Sequence, residues 1–410
     1  MNRQPFRLKS PRWDAKLSPF WVRATRPYRR HMQRIVQRLL EVDVRSLDRV
    51  AELMAAGAGV LITPNHPGHA DSYALYDAAD QLGRPFYFMT AWQVFEMGSR
   101  LARWIYQRYG CFSVEREGTD LWAFKRAVQI LAREPFPLVI FPEGEVYHVN
   151  DRVTPLREGT AAIALTAMKQ AERPIHIVPC GIKYQYIQDP TAELERVMSE
   201  LEERIYWRPR PHRPLAERVL QFAEAALALK ELEHTGTTRT GSLTERVRCL
   251  SEHVLAGMEQ IYKIGARDQT VPERVKNVRR ACLERLEQAN GNASELAAIH
   301  AQLDDVFFVV QLFSYPGDYV AERPTIERLA ETIDKFEEDV LGHRTARIRG
   351  SRRAIVQFGE PIDVNQFAEG AAQPRKLAGP LTDAIEAAMQ NQLDAINHSP
   401  RLGNSDGTTG

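Results

Sequence analysis

Through the first 188 residues, short apolar runs alternate with stretches of helical periodicity, and this alternation narrows the possible folds more than any other feature of the chain. Extended runs fall at 60–63, 85–89, 111–114, 137–141 and 175–178. Helical patterns occupy 71–82, 92–109, Thr119 or Asp120 to about Arg133, and 159–171, after an earlier helix that Ser46 would cap and that ends near Gly57. Strands that recur with a helix between each pair predict an α/β layer fold: a largely parallel central sheet flanked by helices. From Asp189 the texture becomes Glu-, Arg-, Leu- and Ala-rich and helical, with connectors at 208–214 and 233–241. A further strand-like run, 354–358, is followed by the turn Gly359-Glu360-Pro361 and a last amphipathic helix at 381–396. The expected organisation is a basic N-terminal segment (1–40), an α/β core (41–188), a helical insertion (189–345), a return strand and helix of the same core (346–397), and a Gly/Asn/Ser/Thr-rich disordered tail (398–410).

The composition, 44% hydrophobic and 26% charged over 410 residues, is that of a globular protein, and the net charge of +1 gives no general pull toward nucleic acid. Cys111, Cys180, Cys249 and Cys282 are far apart and form no Cys-x-x-Cys pair, which suits reduced thiols in a cytosolic setting and not a structural zinc site. No apolar run approaches the roughly 20 residues of a spanning helix, so the expectation is a soluble or peripheral protein. Charge is uneven, however: residues 1–40 hold eleven Lys or Arg against the single acid Asp14. From Pro27 onward Tyr28, Met32, Ile35 and Leu39 recur at helical spacing, and Arg29, Arg30, Arg34 and Arg38 largely occupy other faces. With Trp13, Phe20 and Trp21 nearby, this reads as a segment whose apolar stripe packs on its own domain and whose arginine faces meet an anionic membrane surface.

The chemistry centres on Asn65-His66-Pro67-Gly68-His69-Ala70-Asp71, directly after the run at 59–62. On a continuous helix His66 and Asp71 would point to different faces, but Pro67 and Gly68 argue for a tight turn that folds one toward the other. A carboxylate beside an imidazole fixes its tautomer and stabilises the imidazolium, as a general base requires. The alternative is a helix N-terminus at which Asp71 only lines the first turn. Three further blocks follow: Gly110-Cys111-Phe112-Ser113-Val114-Glu115-Arg116, then Phe141-Pro142-Glu143-Gly144, then Ile177-Val178-Pro179-Cys180-Gly181. All four lie at or just beyond expected strand ends, the edge at which open α/β sheets bind ligands.

In the order and spacing of these blocks, over residues 20–187 with a return near 356–362, the chain resembles the glycerolipid acyltransferases, whose members acylate glycerol 3-phosphate or lysophosphatidic acid. The resemblance implies that His66 and Asp71 are the catalytic dyad, that Arg116, Glu143 and Gly144 bind the acceptor and its phosphate, and that Pro179 shapes an acyl pocket. It implies an O-acyltransferase that moves a fatty acyl group from acyl-CoA or acyl-carrier protein to a lysophospholipid such as 1-acylglycerol 3-phosphate, with no other cofactor and no metal. The place expected for it is the cytoplasmic face of a membrane. Arg116 as an ion-pair partner of Glu115, Glu117 or Asp120, and Glu143 as a solvated turn residue, are the alternatives.

Two departures matter, one of them that Pro179-Cys180, where the related motif shapes the acyl pocket, is an unspecific strand end that could equally be core. The other bears on the acceptor. Many relatives continue Phe-Pro-Glu-Gly with Thr-Arg, where this chain has Glu145-Val146; Arg152 or Arg157 could supply the missing cation. His69, with His148 and His176 elsewhere, does not match the spacing of a metallo-hydrolase. The aromatic run of Phe86, Tyr87, Phe88, Met89, Trp92 and Phe95 is either acyl channel or core. Competing functions are the same chemistry on a different lipid acceptor, a membrane-associated scaffold without catalysis, and metal-dependent hydrolysis, which chelators would abolish.

Overall fold

The computed structural model describes residues 10–116, 120–205, 207–265, 269–289, 292–343, 345–369 and 377–398. Thr119, Glu117, Arg3, Arg7, Lys9 and the tail beyond His398 lie outside these residues. Two short helices, α1 (Pro19–Ala24) and α2 (Arg26–Ile35), lead into β1 (Leu39–Arg45). Then come α3 (Asp48–Ala55), β2 (Gly59–Pro64), α4 (Asp71–Leu82), β3 (Tyr87–Ala91), α5 (Trp92–Met97), α6 (Arg100–Arg108), β4 (Cys111–Val114), α7 (Leu121–Arg133), β5 (Leu138–Val139), α8 (Gly159–Gln170) and β6 (Ile175–Tyr186). Helices α9 (Thr191–Arg204), α10 (Leu215–Thr235), α11 (Leu243–Tyr262), α12 (Val271–Gln288), α13 (Ala293–Phe313), α14 (Tyr319–Glu322) and α15 (Ile326–Val340) precede β7 (Arg352–Phe358). The strand β8 (Ile362–Asp363) and helices α16 (Val364–Ala368) and α17 (Ala378–His398) follow.

The eight strands form one sheet in the order β1-β7-β6-β2-β5-β3-β4, with β8 also paired to β6. Pairings are parallel except where β7 and β8 run antiparallel to β6. Every residue of β2 is buried, because helices cover both faces of a parallel sheet and its central strands become continuous apolar runs. One apolar core, including Leu75, Phe88 and Val356, covers one face, and a second, including Leu61, Ile130 and Ile385, covers the other.

Several local expectations change. Leu39 is not the end of a helical stripe but the first, fully buried residue of β1; the alternation from Leu40 to Arg45 has the period of a half-buried strand. Ser46 does not cap α3: it sits at φ 56 and its hydroxyl accepts a hydrogen bond from Gln357. The helical pattern of 92–109 splits at Gly98-Ser99, where the Ser99 hydroxyl accepts from the Ala102 N–H and starts α6 anew. Strand β6 runs eight residues further than 175–178, because β7 pairs with the part that projects past β2, from Cys180 to Tyr186.

The helices between β6 and β7 have cores of their own. One gathers Leu250, Val278, Ile299 and Val306 from α11, α12 and α13; the other gathers Leu194, Phe222 and Ile333 from α9, α10 and α15. By length and composition alone α13 could cross a membrane, contrary to the sequence expectation, with a mean hydropathy of 1.4 over 18 residues. Here it packs instead against α11 and α12, and Ile299, Leu303, Val306 and Val309 are buried.

Candidate active site

Strand β2 ends at Pro64 while its neighbour β6 continues, so the β6 backbone beyond Cys180 needs other partners on that side. Two asparagine side chains supply them. The Asn65 amide accepts from the Ile182 N–H at 2.6 Å and donates to its carbonyl at 3.0 Å. Asn150 does the same for Tyr184, at 2.7 Å in each direction. These two amides fasten the loop after β2 and the loop after β5 to the same strand, side by side.

The first loop makes its turn at Pro67-Gly68 and brings His66 Nδ1 to 2.7 Å from Asp71 Oδ2. The Gly68 N–H donates to the same carboxylate oxygen at 3.2 Å, and the Tyr184 hydroxyl donates to Oδ1 at 2.7 Å. Asp71 is fully buried, and Phe141 stacks on the imidazole with centroids 4.1 Å apart. With Nδ1 engaged, Nε2 of the partly exposed His66 is left for chemistry on the cleft side. Sequence reading missed Tyr184, since nothing in a strand interior marks one tyrosine as a partner of a motif carboxylate.

Glu143 has a different position from the one expected. Its Oε1 accepts from the His66 N–H at 2.8 Å, and its Oε2 accepts from the N–H and hydroxyl of Thr154. The residue is buried, is not among those that line the cleft, and positions the His66 loop. Burial is the main cause that lifts its pKa to about 7, with the Asp71 charge adding and the donated hydrogen bonds opposing. Gly144 adopts φ 81, and a Cβ there would come within 2.6 Å of Arg157 Nε, so only glycine fits.

Arg116, just past β4, donates to the Gly144 carbonyl at 2.7 Å and pairs with Glu145 at 2.7 Å. Its acidic partner is thus the residue that replaces threonine of the related motif. Arg157 Nη1 donates to the Arg116 carbonyl at 2.8 Å, whereas Arg152 is turned away and pairs with Asp318 and Glu322. Between the two candidate substitutes, Arg157 lines the cleft. Pro179 lies inside β6 opposite Thr63, not at a strand end, and is not among the residues that line the cleft. The aromatic run divides: Phe86, Trp92 and Phe95 are core, while Phe88 and Met89 face the cleft.

The cleft measures about 1690 Å³, and its lining includes His66, Arg116 and Arg157 together with Tyr28, Val94 and Ile105. Helix α12 of the insertion adds Lys276 and Arg279 to its wall. Burial, first, and then the nearby Arg157 and Arg280 lower the Lys276 pKa. Burial likewise brings Arg279 down to about 10, with Arg116 pushing the same way and Glu115 opposing. Sequence reading assigned no role to these residues, because their distance along the chain hides them.

Helix α2, which gives Tyr28, Arg29 and Met32 to the cleft lining, packs only partly in the expected sense. Arg29 is buried, and it and the partly exposed Arg26 pair with Asp80 of α4, at 2.7 and 3.0 Å, while Arg30 and Arg34 stay exposed. Tyr28 and Ile35 are exposed too, because the two aspartates of α4, Asp77 and Asp80, draw guanidinium groups toward α4. Phe20, Trp21, Leu101 and Trp104 continue this exposed apolar surface, with Trp21 and Trp104 in edge contact at 5.2 Å.

Residues 41–183 match the model of the acyltransferase family. Two relatives are glycerol-3-phosphate acyltransferases: that of Alteromonas mediterranea is 26% identical over 165 residues, and that of Pseudoalteromonas atlantica is 24% identical over 206. The matches cover 38% and 45% of this chain but only 19% and 24% of those proteins.

Proposed function

We propose, from a chain whose residues 41–183 are an acyltransferase-family domain, that it transfers a fatty acyl group from a thioester donor to a lipid hydroxyl. The observation that carries this reading is the His66–Asp71 pair at 2.7 Å on the wall of a cleft whose lining also includes the cationic side chains Arg116, Arg157, Lys276 and Arg279. His66 Nε2 takes the proton of the acceptor hydroxyl as that oxygen attacks the thioester carbonyl. The tetrahedral adduct then collapses, the C–S bond breaks, and the leaving thiolate receives the proton back from the imidazolium. Asp71 stays ionised and balances the imidazolium charge, with Tyr184 and the Gly68 N–H holding its two oxygens. No nucleophilic side chain is required, because a thioester is already activated.

The cations suit a phosphate on the acceptor or on the donor's carrier, since guanidinium groups bind phosphate oxygens in pairs. The acceptor we assign is 1-acylglycerol 3-phosphate: the cleft is larger than the ~300–1,000 Å³ of ordinary small-molecule sites, and its lining combines the cations with apolar residues such as Val94, Met97 and Ile105. The donor is acyl-CoA or acyl-carrier protein. Docking on the inner face of an anionic membrane would use the exposed apolar surface of Phe20, Trp21, Leu101 and Trp104. A second reading, a less anionic lipid acceptor, is favoured by one contact: Glu145 neutralises Arg116.

Thiol release from acyl-CoA and from acyl-carrier protein, measured against glycerol 3-phosphate, 1-acylglycerol 3-phosphate and neutral or zwitterionic lysolipids, tests the assignment. Release with 1-acylglycerol 3-phosphate is the expected result. Release only with glycerol 3-phosphate, or only with an uncharged acceptor, would move the acceptor. Silence with every pair would favour a scaffold.

A further inference from the structure

The two loops that build the site also meet α15 of the insertion, at a cluster outside the His66–Asp71 pair. Nε2 of His69 and Nε2 of His148 lie 3.6 and 3.3 Å from one oxygen, Oε1 of Glu338. The three donor atoms all fall within 4.8 Å of one another, and the two imidazole rings stand at 79° with centroids 5.5 Å apart. Bonds of about 2.0–2.1 Å to a tetrahedral Zn²⁺ place neighbouring donors about 3.3 Å apart, so these separations suit an ion at their centre. His148 and Glu338 are 8% and 3% exposed, whereas His69 is 47% exposed and leaves a side open for a water ligand. Two observations separate this cluster from an ordinary ion pair. His148 Nε2 is buried and makes no well-formed hydrogen bond despite its closeness to Glu338. His148 also holds φ 50, a backbone conformation that costs a non-glycine residue energy and that turns the ring inward.

We propose that His69, His148 and Glu338 bind a divalent transition metal, Zn²⁺ by their chemistry, which clasps the helical insertion to both loops of the site. Two imidazoles and one carboxylate make a borderline donor set that suits zinc, whereas calcium and magnesium take oxygen alone. The ion ties three separate elements: the turn after β2, the loop after β5, and α15. Its role is positioning. His69 lies three residues beyond His66, so the clasp restrains the turn that carries the dyad. Spacing along the chain concealed the set, since each element supplies a single donor. The proposal stands apart from the acyl-transfer reading and does not depend on it.

The full-length chain, freed of metal by a chelator that is then dialysed away, would be titrated with Zn²⁺ against a chromophoric competitor, and with Co²⁺ while visible absorption is followed. His69→Ala and Glu338→Gln would be run beside the wild type, with circular dichroism as the check on folding; His69 is exposed enough that its truncation should leave the fold intact. The expected result is one zinc per chain with a dissociation constant of about 1 µM or tighter. Each variant should weaken binding at least about tenfold, the cobalt bands should appear only in the wild type, and zinc should raise only the wild-type Tm. Absence of stoichiometric zinc binding, or equal affinity in wild type, His69→Ala and Glu338→Gln, would overturn the proposal.

Discussion

At the scale of single residues, the carboxylates of the site divide by environment. Asp71 receives hydrogen bonds on both oxygens and holds a ring nitrogen, so it serves best ionised. Removing the Tyr184 hydroxyl leaves one Asp71 oxygen without its donor; Tyr184→Phe should lower kcat about tenfold to a hundredfold with KM little changed, since hydrogen bonds to charged groups contribute roughly 1.5–3 kcal/mol. A matched fall in binding instead would place Tyr184 on the substrate. Glu143, buried and lifted to about 7 from an ordinary value of 4.5, makes a prediction about stability. Between these values the folded chain keeps a proton that the unfolded chain has released. Its contribution therefore favours folding below about pH 4.5 and is lost as pH climbs through 7. Urea midpoints measured from pH 4 to 8 should show wild type losing stability relative to Glu143→Gln across that window; a difference that does not vary with pH would refute the burial argument. Gly144→Ala should impair acceptor binding more than turnover, because the new methyl group strains the backbone and displaces Arg157.

At the scale of elements, what the sequence made legible depends on whether the signal is local. The pattern of 71–82 and of 111–114 coincides with α4 and β4, and the Asp120 side chain caps α7, because periodicity and cap chemistry are written in neighbouring residues. The His66–Asp71 contact was readable for the same reason: strand, Pro-Gly turn and helix start lie within a dozen residues. Long-range pairing was not readable. The length of β6 depends on β7, and the buried face of α2 depends on Asp77 and Asp80 of α4. Glu143 looked like a ligand-binding residue because a carboxylate after a buried strand needs partners, but the sequence could not say that His66 and Thr154 would be those partners. Helix α12 carries the clearest prediction at this scale. Lys276→Ala and Arg279→Ala should each raise KM for a phosphate-bearing substrate, with a smaller effect on kcat and a flatter dependence on salt. An unchanged KM in the double variant would remove the insertion from the binding site.

At the scale of the whole molecule, the insertion is joined to the core through a buried polar seam beside a small apolar cluster of Tyr147, Val149, Phe313 and Tyr319. Asp151 of the loop after β5 bonds Lys183 of β6 and Arg328 of α15, and the Asn150 N–H reaches Tyr319 and Glu331. Burial raises Glu331 to about 8 and lowers Lys335 to about 8, so both groups of this seam change charge as pH rises through that value. The exposed apolar surface of α1, α5 and α6 has no protein partner among the described residues. Phe20→Asp and Leu101→Asp, at 68% and 66% exposure, should abolish co-sedimentation with anionic vesicles and leave Tm unchanged. Vesicle binding equal to wild type would remove this surface from the docking account.

The central claim is that His66 removes a proton from a lipid hydroxyl. Its most direct test is acceptor-dependent thiol release by wild type and His66→Ala, with the variant's fold verified by circular dichroism. The account predicts a fall in kcat of about 10²–10⁴-fold, the usual contribution of a positioned general base. Equal release by the folded variant would contradict it and leave the His66–Asp71 pair as a structural feature of the turn.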